Sequence, residues 1–217
     1  VIGVGGGKPI DIAKVASVEL HKEFISIPTV ASHDGIASSR ASIPDEEVQH
    51  SITAKPPIAI IADTKVIVGS PWKLTSSGCA DIISNFTAVK DWKLAKLQGE
   101  TEYSEYAAAL SEMTAEMLIQ NVDLILKKSE RSIFMVMKAL VSSGVAMSIA
   151  GSSHPASGGE HLFSHQLNRV ARGERLHGHQ VGVGTILTEY LHSGESGGWR
   201  KIKDTLNMTK SDETRAN

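Results

Sequence analysis

Along the first 70 residues, short apolar runs alternate with stretches of helical spacing. Residues 1–4 form an apolar run that predicts a buried strand. In residues 8–20, Ile10, Ala13, the Lys14 stem, Ser17 and Val18 recur at near-helical steps. Residues 24–27 predict a second strand, closed by Pro28, and residues 58–62 a third, apolar enough for burial on both faces in a parallel sheet. Strands separated by helical stretches predict βαβ units. From about Pro71 the strand signal stops. Residues 103–127 place Tyr106, Leu110, Met113, Met117, Asn121 and Leu124 at steps of three and four, which predicts a helix with one apolar stripe. Residues 133–149 and 158–172 predict two more helices, and 199–206 begins another. Gly69-Ser70-Pro71 is the expected seam between an α/β half, residues 1–70, and a helical half, residues 71–217.

Composition narrows the class. The 217 residues are 41% hydrophobic and 21% charged, as in a globular protein with a real core. Lys plus Arg is 22 against 24 for Asp plus Glu, a net charge of −2. That balance argues against a nucleic-acid partner or a membrane surface, either of which calls for a basic excess. Cys79 is the single cysteine and cannot form an internal disulfide, which suits a reducing cytoplasm. No uninterrupted apolar run approaches the roughly 20 residues of a membrane span. The chain opens on a strand without a methionine and closes on a polar stretch after an unfinished helix, so both ends read as cut.

Two features carry chemistry: 19 glycines that cluster, and nine histidines. Gly5-Gly6-Gly7 follows a strand and opens a helix, with Pro9 in the first turn, where its missing N–H costs nothing. Free N–H groups at a helix start attract phosphate, and glycine permits close approach; an ordinary tight turn has the same composition. The loop after the second strand holds Thr29, Ser32, Asp34 and Ser38. Loops at the carboxyl ends of parallel strands bind ligands, although these residue types also cap helices.

Asp81 lies among small and apolar residues, where an unpaired carboxylate needs a cation or donors. His161 and His165 stand four residues apart on one predicted helical face, and His177 and His179 follow on a predicted loop. Asp81 with two histidines makes a three-ligand set with an open position, as a catalytic Zn²⁺, Ni²⁺ or Fe²⁺ requires. Surface imidazoles are the alternative, and His21, His33, His50 and His192 are read that way. Arg169, Arg172 and Arg175 offer phosphate forks, or simply solvated helix charges.

Six segments together closely resemble the sn-glycerol-1-phosphate dehydrogenases, within the superfamily of glycerol dehydrogenases, iron-containing alcohol dehydrogenases and 3-dehydroquinate synthases. They are GVGGGKPIDIAK, FISIPTVASHDGIASSRASI, IIADTKVI, SGCADIISNFTAVKDW, SGGEHLFSHQLN and HGHQVGVGTI, in family order. The resemblance implies a dehydroquinate synthase-like fold, with an N-terminally truncated α/β NAD(P)-binding domain and an all-helical metal-binding domain. It implies reversible, metal-dependent reduction of dihydroxyacetone phosphate to sn-glycerol 1-phosphate, for ether phospholipid backbones, by a cytoplasmic homo-oligomer. By motif, Gly7, Lys8, Pro9, Ile10, Asp11, Thr29, Val30, Ala31, Ser32 and Ser38 would bind NAD(P). Asp34, Asp81 and His165 would contact substrate and serve catalysis. Asp81, His161 and His177 would hold the metal, Zn²⁺ first, with Ni²⁺ or Fe²⁺ as alternatives. The rival readings are a glycerol dehydrogenase, a 3-dehydroquinate synthase, or a truncated binder without catalysis.

Overall fold

The computed structural model describes residues 1–44, 49–171 and 175–210. The βαβ expectation holds at the start of the chain. β1 (Ile2–Gly5) leads through the glycine turn into α1 (Gly7–Glu19) and back to β2 (Ile25–Pro28). β2 pairs parallel with β1, Val4 opposite Ile27 and Gly5 opposite Pro28. A hairpin that the hydrophobic pattern does not announce follows, β3 (Arg40–Pro44) against β4 (Gln49–Thr53), with Arg40 opposite Thr53. The third parallel strand, β5 (Ala59–Ile60), then joins the other side of β2, for an order β1-β2-β5. It is shorter than its apolar run and forms an edge, so Ile58 and Ile61 stay 63% and 54% exposed instead of buried on both faces.

Among the described residues, every element after β5 is helical: α2 (Thr64–Val68), α3 (Trp72–Ile83), α4 (Asn85–Leu97), α5 (Glu105–Gln120), α6 (Val122–Ile125), α7 (Glu130–Ala150), α8 (Gly159–Val170), α9 (His177–Ser193) and α10 (Trp199–Lys210). The helix expected over 103–127 divides at Asn121, whose amide donates to the Met117 carbonyl at 2.8 Å. Its buried face is also not the apolar stripe. Tyr106 and Met113 are 71% and 58% exposed, while Ala107, Ala108, Ser111, Thr114 and Ala115 face inward. α5 lies against α7, and small residues let the two backbones approach.

α7 is the central core helix. Ser129 caps its start in a reciprocal pair with Ser132, and Gly151 ends it at φ 66°, a left-handed turn that favours glycine. Among the described residues it is the one helix long and apolar enough to cross a membrane, but half of that segment is buried inside the fold. Its Ile133, Val136 and Leu140 share one hydrophobic cluster with Ile10, Phe24 and Ile36, so a continuous core joins the sheet side to the helical side.

Two glycines set how closely the site-bearing elements meet. A Cβ on Gly78 of α3 would sit 2.1 Å from the Ala31 carbonyl oxygen, and one on Gly178 of α9 2.0 Å from that of Ser77. Only glycine allows these backbones to touch. They hold α3 against the loop after β2, and α9 against α3.

Candidate active site

Asp81 stands in the last turn of α3 and is 2% exposed. Its Oδ2 accepts the Asp34 backbone N–H at 2.9 Å, but its Oδ1 is buried with no hydrogen-bond partner. Such an orphaned carboxylate oxygen is costly unless something else satisfies it. His161 Nε2 from α8 and His177 Nε2 from α9 face that atom, at 3.8 and 3.6 Å. The sequence places His177 and His179 on a loop; in the structure they stand in the first turn of α9, because Gly178 packs flush on α3. One ligand atom from each of Asp81, His161 and His177 lies within 4.8 Å of the others. Tetrahedral ligands at about 2.1 Å from a metal stand about 3.4 Å apart, so this donor set fits a divalent ion with little adjustment.

The ring nitrogens turned away from Asp81 are held as metal-binding imidazoles require. His161 Nδ1 meets Glu160 Oε1 at 2.9 Å. The Glu160 carboxylate, itself fully buried, also accepts Gly158 N–H at 2.6 Å and the Thr87 hydroxyl at 2.8 Å. Burial works to raise the Glu160 pKa, but these hydrogen bonds and the His161 charge outweigh it and hold the carboxyl below its usual range. Burial also lowers His161, yet the Glu160 bond and the Asp81 and Asp34 charges leave it raised. His177 Nδ1 lies 3.3 Å from Ser164 Oγ, which donates to Gln180 Oε1 at 2.8 Å. Burial, then its histidine neighbours, pushes His177 well below the usual imidazole value and so favours the neutral, ligating form.

His161 and His177, with Asp81 buried behind them, line a cavity of about 490 Å³ that reaches the glycine turn. Gly7, Lys8 and Asp11 line it from α1, Asp34 and Ser38 from the loop after β2, and His165 and Asn168 from α8. Asp34 Oδ2 accepts the Ser143 hydroxyl of α7 at 2.7 Å. Burial, followed by the nearby Asp81 charge, pushes its carboxyl up to about 7. Burial lowers the pKa of His165, and the His161 charge adds to the shift.

Of the other residues expected at the cofactor, Pro9, Ile10, Thr29, Val30, Ala31 and Ser32 do not line this cavity. Ile10 and Ala31 are core residues. Thr29 N–H donates to the Gly5 carbonyl at 2.9 Å, which sets its loop beside the glycine turn at the carboxyl edge of the sheet. The supporting contacts from Glu160, Ser164 and Ser143 have no signature in the sequence, where a Glu beside a His carries no spatial signal. His33, expected at the surface, lines the cavity, and its Nδ1 accepts the Gly35 N–H at 3.0 Å. His179 bonds Ser76 Oγ at 3.1 Å, outside the cavity lining, and His192 meets Asp91 at 2.6 Å. Arg169 and Arg175 are exposed and outside the cavity lining; Arg172 lies outside the described residues.

A family model described as iron-containing alcohol dehydrogenase matches residues 1–71. A glycerol-1-phosphate dehydrogenase (NAD(P)+) of Halorubrum lacusprofundi is 64% identical over 206 residues, 95% of this chain and 59% of that protein's length. The chain therefore spans somewhat over half of such relatives. Among solved structures, a glycerol dehydrogenase from Schizosaccharomyces pombe superposes with a TM-score of 0.82 at 21% identity, covering 96% of this chain and 55% of that one. A sulfoacetaldehyde reductase from Bifidobacterium kashiwanohense, in complex with NAD+, gives 0.74 at 15% identity, covering 97% and 63%. With a glycine turn in the α/β half and an Asp–His–His cluster in the helical half, the chain is similar over 95% of its length to glycerol-1-phosphate dehydrogenases, and its first 71 residues match the iron-containing alcohol dehydrogenase model.

Proposed function

We propose that the protein reduces dihydroxyacetone phosphate to sn-glycerol 1-phosphate, reversibly, with NAD(P)H and a divalent metal, in the service of ether phospholipid backbone synthesis. The observation that carries this reading is the orphaned Asp81 Oδ1, faced by the Nε2 atoms of two histidines that line a cavity reaching the glycine turn. The 64% identical relative supplies the reaction class.

When bound, a divalent cation polarises the substrate carbonyl and a reduced nicotinamide supplies the hydride. Asp81, His161 and His177 hold the cation; Zn²⁺ suits this set, and Ni²⁺ or Fe²⁺ are accepted by the same donors. Residues 1–70 supply the cofactor side, with Gly7 to Asp11 at the helix start, Thr29 to Ser32 beside it and Ser38 on the cavity wall. Residues 71–217 supply the metal side. Asp34 and His165 contact the substrate, and one or the other passes the proton that its C2 oxygen needs as the carbonyl is reduced. The working protein is a cytoplasmic homo-oligomer.

The test is NAD(P)H oxidation by the intact protein with dihydroxyacetone phosphate, after chelation and again after Zn²⁺ or Ni²⁺ is restored. Metal-dependent turnover with little activity on dihydroxyacetone supports the proposal. Preference for the unphosphorylated ketone would make it a glycerol dehydrogenase. Phosphate release without net cofactor turnover would make it a synthase, and metal binding without any turnover a non-catalytic binder.

A further inference from the structure

A phosphorylated substrate carries a dianionic group several ångströms from its reacting carbon, and that group needs a cation of its own. Among the described residues lining the cavity, two side chains end in an ammonium or a guanidinium: Lys8 and Arg40. Lys8 stands in the first turn of α1, beside the glycine turn expected at the cofactor. Arg40 lines the cavity from a different element, as the first residue of β3.

Its backbone is held from below. The Arg40 carbonyl accepts Lys14 Nζ at 2.6 Å and Ser38 Oγ at 3.3 Å. Lys14 is fully buried on α1, pairs with Asp11 at 3.3 Å, and also donates to the Gly35 carbonyl at 2.7 Å. The other Asp11 oxygen accepts the Ser42 N–H of β3 at 3.0 Å. One buried ion pair thus ties β3 and the loop bearing Asp34 to the same helix, which holds Arg40 in a set relation to that loop. Across the hairpin, the Arg40 guanidinium donates to the Thr53 hydroxyl, its cross-strand partner. A planar guanidinium matches two phosphate oxygens in a way a lysine does not.

We propose that Arg40 anchors the phosphate of the three-carbon substrate and so selects a phosphorylated ketone over its unphosphorylated counterpart. This rests on the reduction proposed above. The anion of the cofactor is the competing source of the same chemistry, and the two are separable by kinetics.

The experiment compares the intact, metal-loaded protein with R40Q and R40K. KM is measured for dihydroxyacetone phosphate and for the reduced cofactor, together with inhibition by inorganic phosphate. R40Q is expected to raise the KM for dihydroxyacetone phosphate about tenfold or more, the loss of a charged hydrogen bond. It should weaken phosphate inhibition in parallel and leave the cofactor KM within about twofold. R40K should fall between, which also reports on the proposal if R40Q fails to fold. The loss on dihydroxyacetone phosphate should exceed any loss on dihydroxyacetone. An unchanged KM for the phosphorylated ketone in both variants, or a rise confined to the cofactor, overturns the assignment. Calorimetric binding of dihydroxyacetone phosphate gives the same comparison without turnover, and equal affinities for wild type and R40Q overturn it there. A wild type that binds the phosphorylated ketone but does not reduce it refutes the reaction instead.

Discussion

The backbone N–H of Asp34 donates to Oδ2 of Asp81 at 2.9 Å, across 47 residues of chain. This bond uses the one Asp81 oxygen that the histidines do not face, and leaves Oδ1 toward His161 and His177. It also ties the loop after β2 to the helical half, so the proposed substrate contact and the proposed metal ligand move as one.

Asp81→Asn keeps the volume of the side chain and removes its charge. It is expected to lose bound metal and turnover together, and His177→Ala should do the same. Metal content by elemental analysis, measured beside NAD(P)H oxidation, checks this. Either variant retaining both properties would refute the ligand assignment.

Glu160 touches His161 Nδ1, not the proposed metal position. Glu160→Gln should therefore weaken metal affinity by about 10- to 100-fold without abolishing it, the usual effect of a partner that orients a ligating histidine. Competition against a chromophoric chelator reads this directly. No change in affinity would show that Glu160 only packs.

Lys14→Met removes a buried ammonium that serves Asp11, Gly35 and Arg40. The variant leaves one Asp11 oxygen and the Gly35 carbonyl without the Lys14 donor and the Arg40 carbonyl with Ser38 alone, and unfolding should become easier by about 3–5 kcal/mol. Urea denaturation measures this. The double variant with Asp11→Asn should lose less than the sum of the two single changes, since the two residues are in contact.

Glu189 of α9 accepts Lys90 Nζ of α4 at 2.6 Å and Gly198 N–H at 3.1 Å. Burial favours its neutral form, but these donors outweigh burial and lower its pKa from 4.5. A carboxyl depressed in the folded state stabilises above its unfolded pKa and loses that contribution as pH falls through the folded value. Stability should thus decline below about pH 4.5 with a component that Glu189→Gln removes. Thermal melts of both proteins over pH 3 to 6 follow it, and parallel acid limbs would count against the pairing.

Much of the α/β start was legible because its signals are local. A glycine run after an apolar stretch, and alternation broken by Pro28, are set by backbone sterics within a few residues, and β1, α1 and β2 appear where those cues lie. The hairpin β3–β4 gave no such cue, since its pairing is a contact between separate stretches and its residues are neither strongly apolar nor cleanly alternating. In α5 the apolar stripe pointed to Tyr106 and Met113, yet the face against α7 is made of alanine, serine and threonine. Close helix packing rewards small side chains, which hydrophobic periodicity undervalues.

By itself, the sequence determined the order of elements in its first strands, the kinds of side chain available for chemistry and, through six motifs, a family resemblance. Only the tertiary structure decided that His161 and His177 face the same Asp81 oxygen, that His33 lines the cavity and that Lys14 is buried beneath Arg40. The reason is distance along the chain. Asp81 and His177 come together because Gly178 of α9 lies flat on α3, while Gly78 seats α3 against Ala31. A composition of histidines states which donors exist; the close approach of three backbones states where they meet.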